Sequence, residues 1–334
     1  MIVIGLLIIA IGAFCQSSSY VPINKIKSWS WESYWLVQGI FAWLLFPLLG
    51  ALLAVPSGES LSALYASHPR ESLMTILFGA LWGVGGLTFG LSMRYLGVAL
   101  GQSIALGTCS ALGAILGPVF TGHASDLTSA VIIGVVVTLV GISVIGVAGA
   151  MKSAALPEEE KKKAVKDFNF GKGIAVALMA GFMSACFNIG LSFGEPLCWE
   201  QTPAIFSTLP ATLLVTLGGF ITNAAYCLFQ NARNSSWKDY RQGSLWLNNL
   251  LFCALAGFLW YSQFFGLSLG KGFLASSAVL VTFSWCILMS LNVVFSNVWG
   301  ILLKEWKGVS GKTVLVLIAG ILILIVSTFL PYLL

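Results

Sequence analysis

A chain of 334 residues that is 58% hydrophobic and only 9% charged is not a soluble domain, where about 25% of residues carry charge. Its mean hydropathy is +0.93, and the 17 Lys and Arg, 12 Asp and Glu and 2 His can all be placed outside ten apolar stretches. A stretch of about 20 residues crosses roughly 30 Å of hydrocarbon, in which a charge costs several kcal/mol, so the pattern is that of an all-α integral membrane protein with ten transmembrane helices. The net charge of +5 does not point to nucleic acid, because the basic residues lie between the apolar stretches, where membrane topology accounts for them.

In chain order the spans are expected at 2–21, 36–56, 72–93, 97–120, 128–151, 173–194, 206–230, 248–269, 273–303 and 313–334. The first lacks a basic leader region and runs into Gln16, Ser17, Ser18, Ser19 and Tyr20 without a cleavage site, so it reads as a retained helix. Trp29, Trp31, Tyr34 and Trp35 follow next to Lys25 and Lys27 and read as an interfacial aromatic anchor. In the third span, Gly79, Gly83, Gly86 and Gly90 predict close helix packing. Between the fifth and sixth, Pro157 and Glu158 to Glu160 precede Lys161 to Lys163, which predicts a short solvated helix. The ninth span, 273–303, exceeds a straight crossing at about 1.5 Å per residue, so it is expected to tilt, protrude or break. The seven cysteines show no ligand pattern and read as small apolar fillers.

Fifteen of the 17 Lys and Arg fall in alternate loops, with only Arg70 and Lys271 in the others. This split puts the basic loops in the cytoplasm and both termini in the periplasm. The basic linker 152–172 divides the chain into five-helix halves at 1–151 and 173–334. An odd span count per half makes a duplicated second half run upside down, so two inverted five-helix repeats are expected. Traces are LWGVGGLTFGLS from Leu81 to Ser92 against LWYSQFFGLS from Leu259 to Ser268, and Ala13 to Gln16 against Ala185 to Asn188.

Neither HExxH nor GxGD occurs, nor a phosphate-binding loop, so no catalytic residue, metal site or cofactor is expected. The spans instead carry uncharged hydrogen-bonding groups. Any one of these can serve as packing glue between helices. A binding role gains weight where amides adjoin aromatics, as at Trp260, Tyr261 and Gln263, and near Trp82 with its glycines. Amides and hydroxyls match the hydroxyls of a polyol, and an indole face covers its C–H face. The candidate binding set is Gln16, Tyr20, Trp82, Gln102, Asn188, Trp260, Tyr261 and Gln263. The spans offer no acid for an organic cation and no base for an anion, which favours a neutral sugar.

Several strings carry a resemblance: YVPINKIKSWSWE (Tyr20 to Glu32), FGALWGVG with GLSMRYLG (Phe78 to Gly97), LWYSQFF (Leu259 to Phe265), SWCILMS (Ser284 to Ser290) and LLKEW (Leu302 to Trp306). The chain resembles the bacterial L-rhamnose/proton symporter family of the drug/metabolite transporter superfamily. That resemblance implies a multi-pass protein of the bacterial inner membrane that takes up L-rhamnose or a related deoxysugar with a proton. The sugar is then bound between the two repeats and exposed alternately to each side. Sodium-coupled uptake and export of an uncharged metabolite are the rival forms of transport, and a sugar receptor without flux is the rival from another class. The oligomeric state is left open. Some family members carry an acid where this chain has Val281, so Glu32 and Glu305 become the candidates for proton coupling.

Overall fold

The structure, a computed structural model, describes residues 1–96, 98–155, 170–304 and 306–334. The helix expected at Pro157 to Lys163 therefore lies outside the described residues, as does Glu305. All regular elements among the described residues are helical, and ten are long and apolar enough to cross a membrane. They are α1 (Ile2–Ser18, continued by Tyr20–Ile23), α2 (Trp31–Leu52), α3 (Pro69–Leu96), α4 (Val98–Phe120), α5 (Ser129–Ala154), α6 (Phe170–Phe193), α7 (Leu209–Asn234), α8 (Gly243–Leu274), α9 (Ala278–Leu302) and α10 (Gly311–Leu333).

Two departures from the hydropathy reading have a local reason. Helix α2 begins at Trp31, five residues before the expected 36. Ser30 is extended at the N-cap, and Glu32 enters the first turn, where the positive end of the helix dipole favours an acid. The excess length expected of the ninth span belongs to α8, which is 32 residues long, whereas α9 has 25. The chain breaks between them because the Ser277 hydroxyl accepts from the Leu280 N–H at 3.4 Å and starts a new helix.

By packing, the chain forms two compact units: Met1–Gly83 with Gly190–Ser276, and Val84–Ile189 with Ser277–Leu334. Each unit draws on both sequence halves, 1–151 and 173–334. The divisions fall inside α3, inside α6 and between α8 and α9.

In the first unit, α1 and α8 pack on each other through glycines. A Cβ at Gly5 would lie 2.9 Å from the Gly270 carbonyl oxygen, and one at Gly12 would lie 3.1 Å from the Gln263 Cα. Helix α3 meets α7 in the same way, with Gly79 against the Val215 carbonyl and Gly218 against the Ile76 carbonyl. Lipid tails are as apolar as leucine, so close backbone approach replaces the hydrophobic drive of a soluble core. In the second unit, α5 and α10 pack around Gly141 and Gly320, beside a cluster of Ile142, Val293, Val294 and Leu324. The glycine reading holds for Gly79 and Gly83, whereas Gly86 faces open space, and Gly85 packs against Met183 and Ser184. Five cysteines are buried and all seven are free, as fillers would be.

This contrast makes a prediction. Gly79→Ala forces a methyl into the Val215 backbone and should destabilise by about 1–3 kcal/mol. Gly86→Ala meets nothing and gains helix propensity, so its melting temperature in detergent should equal or exceed the parent's.

Candidate functional site

The site is built on α2. Pro47 has no N–H to give the carbonyl of Trp43, and its ring crowds that carbonyl. The helix responds with a π turn over Ile40–Leu45, in which the Phe46 N–H bonds the Phe41 carbonyl five residues back. Trp43 rides on this turn, and its ring lies back over Gly39, where a Cβ would come within 2.6 Å of it. A second indole, Trp82 on α3, lies over Gly219 of α7, a seat that any side chain at Gly219 would occupy. Trp260 on α8 completes the group.

The three rings form one cluster. Trp82 and Trp260 lie 5.7 Å apart at 31°, and Trp43 stands nearly perpendicular to both, at 6.0 Å and 89° from Trp82 and 5.9 Å and 83° from Trp260. Phe264 packs edge-on to Trp260 at 5.1 Å. The aromatic run continues along α2 through Trp35, 5.6 Å from Trp43, to Trp31, stacked on Trp35 at 5.4 Å. Trp31 and Trp35 are thus part of the helix, and the Trp35 Nε1–H donates to Asn223 Oδ1 at 3.0 Å. Asn223 is itself fixed, donating to the carbonyls of Gly83 and Gly219. Trp29, also read as part of an interfacial anchor, is buried against Tyr240.

Hydrogen-bonding capacity is left over here. Trp43, within the cluster, is 4% exposed and its Nε1–H has no acceptor, and away from the rings, on α1, α2 and α8, Gln16 Oε1, Gln38 Oε1 and the Tyr261 hydroxyl are also buried without a partner. The pairing of Gly5 with Gly270 and Gly12 with Gln263 sets Gln16 at the level of Leu259, next to Trp260 in sequence. Indole faces cover C–H groups, and the unmatched donor and acceptors suit hydroxyls, which both give and accept.

Of the residues singled out by sequence, Trp82 and Trp260 meet, with Gln16 at the same level. Tyr261, one residue on, turns its hydroxyl onto Gly50, and Gln263 packs against Gly12 and donates to the Trp260 carbonyl at 3.1 Å. Tyr20 is 57% exposed. Gln102 and Asn188 belong to the second unit, where the Asn188 amide donates to the Gly113 carbonyl at 2.7 Å. Trp43 escaped the sequence reading, although a glycine four residues before it and a proline four after were available as signals.

At the N-terminal end of α2 lies a second polar assembly. Glu32 is 6% exposed and accepts from Ser236 Oγ at 2.7 Å and Asn234 Nδ2 at 3.0 Å, both neutral donors. Asp239, 3% exposed, accepts from the Ser30 N–H and hydroxyl at 2.7 Å each and from the Ser33 hydroxyl at 2.8 Å. Asn231 Oδ1 lies within reach of both the Ser33 and Ser236 hydroxyls, at 3.1 and 3.2 Å. The two carboxylates are therefore joined through Ser236, Asn231 and Ser33. Asp239 was not singled out by sequence, because an acid in a short polar loop carries no pattern.

The family model described as L-rhamnose-proton symport protein (RhaT) matches residues 1–332. A protein of Yersinia pestis named L-rhamnose-proton symporter is 32% identical over 340 residues, covering 98% of this chain and 96% of its own length. One of Mannheimia succiniciproducens with the same name is 31% identical over 339 residues, with the same coverage.

The Asp239 assembly makes a prediction in pH. Burial pushes its carboxyl up, but the Ser30 N–H, the Ser30 and Ser33 hydroxyls and the Lys238 charge outweigh that and hold it below the usual aspartate range. A carboxyl held low stabilises the folded state above its unfolded value of about 3.9 and loses that contribution as pH falls through its folded value. Acidification below about pH 4 should therefore lower the melting temperature of the parent more than that of Asp239→Ala. At neutral pH, Asp239→Ala leaves the Ser30 N–H unpaired and should cost about 1–3 kcal/mol.

Proposed function

We propose that this chain, which belongs to the L-rhamnose-proton symport protein family, imports L-rhamnose together with a proton. The observation that carries this reading is the family match along essentially the whole chain, together with an indole cluster whose leftover hydrogen-bonding groups are uncharged. A 6-deoxyhexose presents both chemistries the cluster offers to match, a C–H face and a set of hydroxyls. Trp82 and Trp260 cover the C–H face, with Gln16 on α1, which packs against α8, and Gln263 on α8 itself, three residues after Trp260. Binding alternates with exposure to each side of the bacterial inner membrane, with both termini periplasmic and the linker 152–172 cytoplasmic.

Coupling needs a group that takes up a proton on one side and gives it up on the other. Glu32 fills this role in our reading. It is a buried acid inside a membrane helix, and the donors that satisfy it, Asn234 and Ser236, can release it without leaving a fixed counter-charge behind.

Labelled L-rhamnose should accumulate in proteoliposomes under an imposed pH gradient, and accumulation that follows a sodium gradient instead would overturn the proton. Trp82→Ala and Trp260→Ala should each weaken the apparent affinity by about 5- to 150-fold, the value of a lost buried contact. Glu32→Gln should abolish pH-driven accumulation and leave sugar exchange intact, because exchange moves no net proton. For orientation, in a background without native cysteine, Ser125→Cys should react with an impermeant reagent on intact cells and Ser153→Cys should not.

A further inference from the structure

We infer that Trp43 is a sugar-binding and selectivity residue, whose buried Nε1–H donates to one particular hydroxyl oxygen of the transported sugar. The inference rests on the sugar-transport reading above and adds a residue on α2, a helix from which the sequence drew no binding residue.

Three independent features meet at this side chain. First, the N–H is buried and unpaired, a costly state for a donor in a medium without water. Trp29 shares this state at the entry to α2, whereas Trp35 bonds Asn223 at 3.0 Å, Trp199 bonds Glu59 at 3.3 Å, and Trp285 bonds the Cys109 carbonyl at 3.4 Å. Second, the pose is held by features that weaken a helix. The π turn has poorer geometry than an α turn, Pro47 removes a backbone bond, and Gly39 lowers helix propensity. Without Gly39 the ring could not lie where it does, since a Cβ would overlap its benzo edge. Third, Trp43 stands at 70°, 89° and 83° to Trp35, Trp82 and Trp260. It therefore meets a ligand seated on Trp82 or Trp260 from a different direction from their own faces. A hydroxyl oxygen supplies the acceptor that the protein does not. An orphan donor also discriminates strongly, because a sugar lacking the matching hydroxyl leaves the N–H unpaired.

The test measures binding of L-rhamnose and its single-position deoxy analogues to purified protein by calorimetry, with thermal melting as a check of folding. Trp43→Phe keeps a ring and removes the N–H, and should bind L-rhamnose about tenfold more weakly at an unchanged melting temperature. One deoxy analogue should lose a similar factor on the parent and nothing further on Trp43→Phe, which identifies the contacted hydroxyl. Equal affinity of Trp43→Phe and parent, or a full deoxy penalty retained at every position in the variant, overturns the inference. Should Trp43→Phe not fold, Gly39→Ala keeps the indole and swings it off its seat. Weakened binding there supports the assignment, and parental binding defeats it. A parent protein that melts normally yet binds no L-rhamnose overturns the sugar reading and this inference with it, whereas a binding parent with an indifferent Trp43 overturns the inference alone.

Discussion

A bilayer has no water to spare for a polar group, and the organisation of this protein follows from that shortage. Hydroxyls within the helices turn back on their own backbone: Ser18 bonds the Phe14 carbonyl at 2.7 Å, Thr216 that of Thr212 at 2.9 Å, and Ser262 that of Phe258 at 2.8 Å. Amides reach further and fasten helices together, as Asn223 does between α3, α7 and Trp35. Against this background a buried donor or acceptor without a partner is conspicuous. Several lie on α1, α2 and α8, the helices that carry or flank the indole cluster.

Glycine does two separate jobs in the first unit. Along α1 and α8 it lets backbones approach, so that Gly5 and Gly12 face Gly270 and Gln263. At Gly39 and Gly219 it provides flat seats on which Trp43 and Trp82 rest. The second job is the less visible one, because a seated indole requires space on a helix rather than a close neighbouring helix. In both jobs an added methyl would crowd a neighbour, and the nearest atom tells them apart: a main-chain atom of the facing helix at Gly5 and Gly12, an indole ring carbon at Gly39 and Gly219.

On the proposed reading, helix α2 links the two chemistries of a coupled transporter. Glu32 stands in its first turn and Trp43 eleven residues later, so at about 1.5 Å per residue they are separated by roughly 16 Å along one helix. In the proposed mechanism the proton and the sugar act on a common element, with the π turn between its two α segments. The donors around Glu32 and Asp239 come from the Ser30–Ser33 turn, the end of α7 and the loop that follows it.

The ten spans and the absence of charge at their centres were legible in the residues alone, because hydropathy and residue type are local properties that the bilayer reads directly. The sequence reading misjudged the start of α2, since Glu32 looked like a loop residue until Asn234 and Ser236, some two hundred positions away, were seen to satisfy it. It placed Tyr261 and Trp260 together although neighbours on a helix point about 100° apart, so one joined the indoles and the other turned to Gly50. It passed over Trp43 and Asp239, whose importance depends on what does and does not lie within hydrogen-bonding distance. Which helices meet, which glycines are seats and which donors are left unmatched are decided by tertiary structure, because hydrogen bonds and ring contacts are short-ranged and their partners come from distant parts of the chain.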